Sequence, residues 1–184
     1  TLISDLNFKT NLIMDHYLKA QKALPASGAI RDKQQKLIKL LRFFINTLNE
    51  KKCNIPYWLA YGSLLVAVRH KGFIPWDEDF AFGIMAQDLE KMISFVKENL
   101  PPEYELVIGD WSPGQKYYRY FRHKDHPEIA LDFLIYDNLG TDAQGNSMLR
   151  IRSNLIGGMG ILPSNIIFPL KTINYEGIEI NCPN

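Results

Sequence analysis

The chain has 184 residues, of which 46% are hydrophobic and 12% aromatic, and its formal net charge at pH 7 is +1. This length suits one domain, and the apolar content is enough for a hydrophobic core, which excludes a disordered chain. The near-neutral charge argues against nucleic acid as a partner, because proteins that track phosphate backbones carry a marked basic excess. No apolar run approaches the roughly 18 residues that a membrane-spanning helix needs.

The N-terminal part of the chain is predicted to be helical. Residues 5–24 show an amphipathic pattern that ends at the breaker cluster of residues 25–28. Residues 31–50 carry apolar side chains at helical spacing, and Asp32 is a plausible N-cap. We therefore expect a helical appendage over residues 1–30 and a main domain over residues 31–184.

The stretch from residue 61 to residue 83 holds an acidic pair, Asp77 and Asp79. Residues two apart on an extended segment point to the same side, whereas Glu78 points away and is expected to be structural. Two carboxylates held close together are costly unless a cation lies between them, which predicts a divalent metal with oxygen ligands. The alternative is an acidic turn in solvent.

A Gly-Ser pair precedes these acids. Gly62 and Ser63 follow the apolar run of residues 56–61, which predicts a buried strand ending in a tight turn. Backbone amides after such a glycine, with a hydroxyl beside them, can approach a phosphate closely. Arg69 and Lys71 would supply positive charge to the same phosphate.

A third acid lies in a second apolar run. Residues 129–136 (IALDFLIY) predict a central strand with Asp132 in its middle. A buried carboxylate needs a partner. That partner is either a metal shared with the upstream acids or an arginine, Arg119 or Arg122, of the strand predicted over residues 116–123.

Further elements follow the same patterns. We expect a helix over residues 88–100, a strand over 148–152, a loop over 154–160, and a pair of strands over 166–170 and 175–181. Cys53 and Cys182 lack metal-ligand spacing and are expected to be ordinary thiols, with a disulfide as the alternative in a secretory lumen.

Gly-Ser followed after a spacer by Asp-x-Asp resembles the nucleotidyltransferase superfamily that includes polymerase β. The string YGSLLVAVRHKGFIPWDED, residues 61–79, resembles the LicD family, to which fukutin and fukutin-related protein are related. The resemblance covers residues 34–184. It implies an α+β nucleotidyltransferase fold with a mixed sheet flanked by helices, and further helical sequence beyond the end of this chain.

The resemblance also implies an activity. LicD proteins transfer phosphocholine from CDP-choline, and the related fukutin and fukutin-related protein transfer ribitol phosphate from CDP-ribitol. The resemblance therefore implies transfer of a phospho-alcohol from a CDP-activated donor to a hydroxyl of a glycan or glycolipid, for example in lipopolysaccharide or teichoic acid. Bacterial relatives act at the cytoplasmic face of the membrane, and animal relatives act in the Golgi lumen. By the resemblance, Mg²⁺ or Mn²⁺ would be held by Asp77, Asp79 and Asp132. The donor's nucleotide and phosphates would be contacted by Gly62, Ser63, Arg69, Lys71 and Arg119.

One position departs from the family pattern. Ala81 stands where relatives usually carry a further acid on the same strand face as Asp77 and Asp79. The alternative function is therefore a catalytically weakened or inactive relative that binds a nucleotide or a protein partner. A third possibility from the residues alone is an unrelated metal-dependent hydrolase, such as a phosphatase.

Overall fold

A computed structural model describes residues 26–112, 115–152 and 160–184, with the backbone alone for residues 109–121. The helix predicted over residues 5–24 lies outside this part, and the division of the chain at residue 30 stays a prediction. Helix α1 runs from Gly28 to Glu50. Because it begins before Asp32, the predicted cap is wrong: Ser27 occupies the N-cap position, without a side-chain hydrogen bond.

Seven strands of the described residues form one mixed sheet. They are β1 (Tyr57–Leu59), β2 (Ala81–Met85), β3 (Tyr104–Ser112), β4 (Gln115–His123), β5 (Ala130–Thr141), β6 (Ser147–Ile151) and β7 (Ile161–Pro163). The order is β1-β2-β5-β4-β3, and the far half of β5 pairs with β6, which pairs with β7. Strands β2 and β5 are parallel, and the other pairs are antiparallel. The sheet with its flanking helices confirms the predicted α+β class.

The two faces of the sheet bury different clusters, because side chains alternate along each strand. One face packs against α1 and holds the main core, which includes Phe44, Phe82 and Phe133. The opposite face holds a smaller cluster of Trp58, Met85, Tyr136, Leu149 and Ile167. By the same alternation, Ala81 and Asp132 belong to this second face.

Helix α2, Tyr61–His70, follows β1 directly. The predicted tight turn after residue 61 is therefore wrong: the chain enters a helix instead. The helix buries Ser63, Val66 and Ala67, whose spacing of three and four residues places them on one side of a helical turn. A helix this short is marginally stable in isolation, so burial of this side against the sheet, rather than intrinsic helix propensity, stabilises it.

Helix α3, Leu89–Asn99, occupies nearly the predicted range. The chain then ends in a separate hairpin of β8 (Lys171–Tyr175) and β9 (Ile178–Cys182). Its turn residues Glu176 and Gly177 both have positive φ, 49° and 78°, as in the turns that suit two-residue hairpins.

Three other predictions meet the structure differently. The strand predicted over residues 166–170 is wrong: Ser164–Ile166 is a short 3₁₀ helix, and β8 begins at Lys171. Both Cys53 and Cys182 are free thiols, so the alternative disulfide does not form. The loop predicted over residues 154–160 lies almost wholly outside the described residues. Within the described part, no helix has the length and apolar character needed to cross a membrane.

Candidate active site at the start of strand β2

The acidic pair lies on the loop that joins α2 to β2. The carboxyl group of Asp77 shares a hydrogen bond with Asp79, and burial, followed by the charge of Asp79, raises the pKa of Asp77 to about 6. The Oδ2 atom of Asp77 is buried and accepts no hydrogen bond from any residue that the structure describes. Such a buried, unsatisfied oxygen beside a second carboxylate fits a hard divalent cation, which prefers charged oxygen ligands.

Asp132 lies on the neighbouring strand. In the parallel ladder of β2 and β5 the Cα atom of Ala81 stands opposite that of Asp132, and the Asp132 N–H donates to the Phe80 carbonyl at 2.9 Å. Paired residues point to the same face of a sheet, so the side chains of Asp132 and Ala81 share one face, and Ala81 lies two residues after Asp79. Over the described ranges, however, no group of three Asp, Glu, His or Cys side chains is close enough to hold a metal. The three-acid ligand set therefore stays a prediction.

Hydrogen bonds connect the start of α2 to Ala81, the residue opposite Asp132. The Ala60 N–H donates to the Ala81 carbonyl at 3.1 Å, and the Ala81 N–H donates to Ser63 Oγ at 2.9 Å. Ser63 is only 1% exposed, so the contact that the structure gives it is with the strand. Gly62 is exposed, and a Cβ there would meet no atom within 4 Å. A helix N-terminus with an open glycine next to Ala81 suits an anion such as a phosphate.

The predicted cations do not join this group. Arg69 and Lys71 are exposed and lie at the C-terminal end of α2. Arg69 lies six positions after Ser63 in the helix, a rise of about 9 Å along the axis. The helix therefore does not place Arg69 and Lys71 beside a phosphate bound at its N-terminus. The role of these two cations stays a prediction.

Comparison with known proteins bears on this geometry. Residues 54–184 match the family model of the LicD/FKTN/FKRP nucleotidyltransferase domain. The chain belongs to this family. An uncharacterized protein of Rickettsia prowazekii is 57% identical over 134 residues, which are 72% of this chain and 45% of that protein. The lipopolysaccharide cholinephosphotransferase LicD of Haemophilus influenzae is 42% identical over 81 residues, 44% of this chain and 30% of that protein.

The chain thus spans less than half the length of these relatives. A second uncharacterized protein, from Rickettsia typhi, is 57% identical over 37 residues, 20% of this chain and 12% of that protein. Family membership concerns the nucleotidyltransferase domain, and the activity of the whole protein belongs to the proposed function. The donor, the acceptor and the metal are matters for proposal.

The two predicted arginines have different surroundings in this LicD-family domain. The backbone of Arg119 stands opposite Asp132 in the antiparallel ladder of β4 and β5, but its side chain lies outside the described part. Arg122 donates from both Nε and Nη2 to Glu105 Oε1. This bond directs the Arg122 guanidinium to Glu105 on strand β3.

Sequence reasoning missed residues of α1 that reach the acidic loop. Gln34 donates hydrogen bonds to two carbonyls of the loop. Lys33 Nζ lies 2.8 Å from Glu78 Oε2, and this ion pair agrees with the structural role expected for Glu78. The sequence does contain a sign of this contact. Gln34 lies three residues before Leu37, so it continues the buried apolar stripe of the helix as a polar residue.

Replacing Asp77 with asparagine is expected to raise the free energy of unfolding above pH 6 but not below pH 4. The pKa of Asp77 is raised from 3.8 to about 6 in the folded protein, so its contribution to stability is complete below the unfolded-state pKa and is lost as pH rises through about 6. The gain at pH 7.5 relative to pH 4 should be about 1–2 kcal/mol after allowance for solvent screening. Urea titrations in EDTA at both pH values measure it.

Asp137→Asn is the matched control of opposite sign. Hydrogen bonds, first from Arg152 and then from Arg150, lower the pKa of Asp137. This carboxylate therefore stabilises the fold above its unfolded-state pKa, so the variant should be less stable than the wild type at pH 7.5, and the difference should shrink only below about pH 4. If Asp77→Asn shows the same sign as this control, the raised pKa of Asp77 is refuted.

Proposed function

We propose that this domain is a divalent-metal-dependent phosphotransferase that moves a phospho-alcohol from a CDP-activated donor to a hydroxyl of a lipopolysaccharide-type glycan. The observation that carries the proposal is the convergence on Ala81. The N-terminus of α2, with the open Gly62, and Asp132 both adjoin this one residue, and the Asp77 and Asp79 pair precedes it by a few residues. Family membership supports the transferase class.

The side chains would divide the work as follows. Asp77, Asp79 and Asp132 would hold Mg²⁺ or Mn²⁺, which when bound neutralises charge on the donor's phosphates. The amides at the start of α2 would bind phosphate oxygens, and Arg119, on the strand beside Asp132, would neutralise charge on the nucleotide. Arg69 and Lys71 would approach the donor from the far end of α2.

The transfer itself is a substitution at phosphorus. The acceptor hydroxyl oxygen attacks the phosphorus that carries the alcohol, a new P–O bond forms, the bond between the two phosphates breaks, and CMP leaves with the electron pair. The hydroxyl proton needs a base. One of the three carboxylates would accept it.

The test is donor turnover by the purified protein. With CDP-choline or CDP-ribitol, Mn²⁺ and lipopolysaccharide-derived oligosaccharide, we expect CMP and a phospho-alcohol-modified glycan in equal amounts, both abolished by EDTA. Chromatography of the nucleotides and mass spectrometry of the glycan measure the two products. Release of free alcohol or inorganic phosphate without an acceptor would instead identify a hydrolase and refute the transferase.

A second candidate has an observation of its own in its favour. Ala81 brings no carboxylate to the position directly opposite Asp132, and a site short of one acid binds metal more weakly. The domain would then bind a CDP-alcohol without turning it over. Calorimetry that detects donor binding, together with no CMP above the EDTA background, would favour this silent relative over the transferase.

A further inference from the structure

The geometry points to Gln34 as a positioning residue for the acidic loop, held in place through Arg31 by Glu176 of the C-terminal hairpin. This inference rests on the function proposed above, because the loop carries Asp77. It also assigns a role to helix α1, which precedes the matched residues 54–184.

Gln34 binds both ends of one turn. Its Nε2 donates to the carbonyl of Ile74 at 2.9 Å and to that of Asp77 at 3.0 Å, and the Asp77 N–H also donates to Ile74 at 3.0 Å. This bond from residue 77 to residue 74 closes a β-turn with Pro75 at its second position, where proline is favoured. The Gln34 amide therefore fixes both the turn and the residue that ends it.

The orientation of the amide is determined by its surroundings. Gln34 is 1% exposed, and both its N–H donors face carbonyls, so the reversed amide would set an oxygen against two oxygens. Its Oε1 accepts from Arg31 Nη1 at 3.2 Å. Loss of the side chain would remove this donor from both part-buried carbonyls, which weakens the hold on the turn.

Arg31 connects the amide to the hairpin. Its guanidinium binds Glu176 through two hydrogen bonds, at 3.1 and 3.2 Å, and a fork of this kind fixes direction as well as distance. Glu176 in turn accepts from the Phe73 N–H at 3.4 Å and donates its own N–H to the Lys71 carbonyl at 2.8 Å. Both ends of the stretch from residue 71 to residue 77 are thus held from outside the loop.

Glycine at position 72 makes this contact possible. A Cβ there would lie 2.7 Å from Glu176 Oε1 and 2.9 Å from its Cγ and Cδ, closer than such atoms approach. The hairpin carboxylate and the loop backbone are therefore packed directly on one another. A carboxylate, a guanidinium and an amide form a continuous chain that ends at Asp77.

The test compares Gln34→Leu with Thr47→Val on the same helix. Thr47 is also buried, but its Oγ1 bonds only within the helix, to the Phe43 carbonyl at 2.8 Å, so the control removes a buried hydrogen bond without touching the loop. We expect amide exchange of residues 73–80 to be about tenfold faster in Gln34→Leu and unchanged in the control. Mass spectrometry of deuterated peptides measures it, with no metal present.

A second readout separates positioning from a structural contact. Mn²⁺ affinity, followed by electron paramagnetic resonance, should fall about fivefold or more in Gln34→Leu and stay at the wild-type value in Thr47→Val. Arg31→Met, which loses the link to Glu176 but keeps the buried amide, should show both effects to a smaller degree. Arg31→Met replaces Gln34→Leu as the test variant if Gln34→Leu does not fold.

The outcomes distinguish this inference from the proposed function. Unchanged exchange in residues 73–80 overturns the positioning role, whatever the metal does. Faster exchange with unaltered Mn²⁺ affinity overturns it as well, because the amide would then only order the loop. If the wild-type protein itself binds no Mn²⁺, the proposed function fails, and the exchange data then decide only whether Gln34 orders the loop.

Discussion

Asp132→Asn is expected to lower metal-dependent CMP release by about a hundredfold or more, a loss typical of a group that acts on developing charge. Asp132 stands opposite Ala81 on the central parallel pair of strands, and the Ala81 N–H donates to Ser63 in the first turn of α2. Asparagine keeps the size of the side chain but removes the negative charge that would bind the cation. The initial rate of CMP formation at saturating Mn²⁺ measures the effect.

Asp137→Asn on the same strand is the control. Asp137 points to the opposite face and binds Arg150 and Arg152, so its loss should change stability but leave the rate within about threefold of wild type. An Asp132→Asn protein that keeps the wild-type rate, with an unchanged melting temperature, would remove this residue from the reaction.

Ala81→Asp is expected to tighten Mn²⁺ binding about tenfold and to raise CMP release, since each added charged oxygen ligand strengthens a divalent site. The new carboxylate would face the same way as Asp132, directly across the ladder. Ala81 is half-buried rather than enclosed, and only its backbone bonds Ala60 and Ser63. The substitution therefore leaves the fastening of α2 intact.

Ala81→Asn separates charge from size in this experiment. It fills the same space without a negative charge and should leave Mn²⁺ affinity near the wild-type value. If the aspartate and asparagine variants bind Mn²⁺ equally well, the position does not contribute to a metal site in this chain. If Ala81→Asp turns over the donor and the wild type does not, the natural protein is the catalytically inactive relative, and its other site residues are still able to support the reaction.

The acids and their strands could be predicted because their signals are local. The nearly continuous apolar run around Asp132 predicted a strand over residues 129–136, which is the first part of β5 (Ala130–Thr141). The start of α2 could not be placed in the same way. Gly62 and Ser63 are typical of turns, and only the sheet beneath them makes a helix the better conformation.

The sequence by itself determined the family, the mixed fold and the acidic pair, because each depends on residue types that are near one another along the chain. Only the tertiary structure decided that Asp132 stands opposite Ala81, that Ser63 and Arg69 lie near opposite ends of one helix, and that Gln34 binds the acidic loop. These relations join residues that are distant in sequence, through strand register and side-chain contacts. No local pattern encodes them, since register and contact are fixed by packing of the whole core.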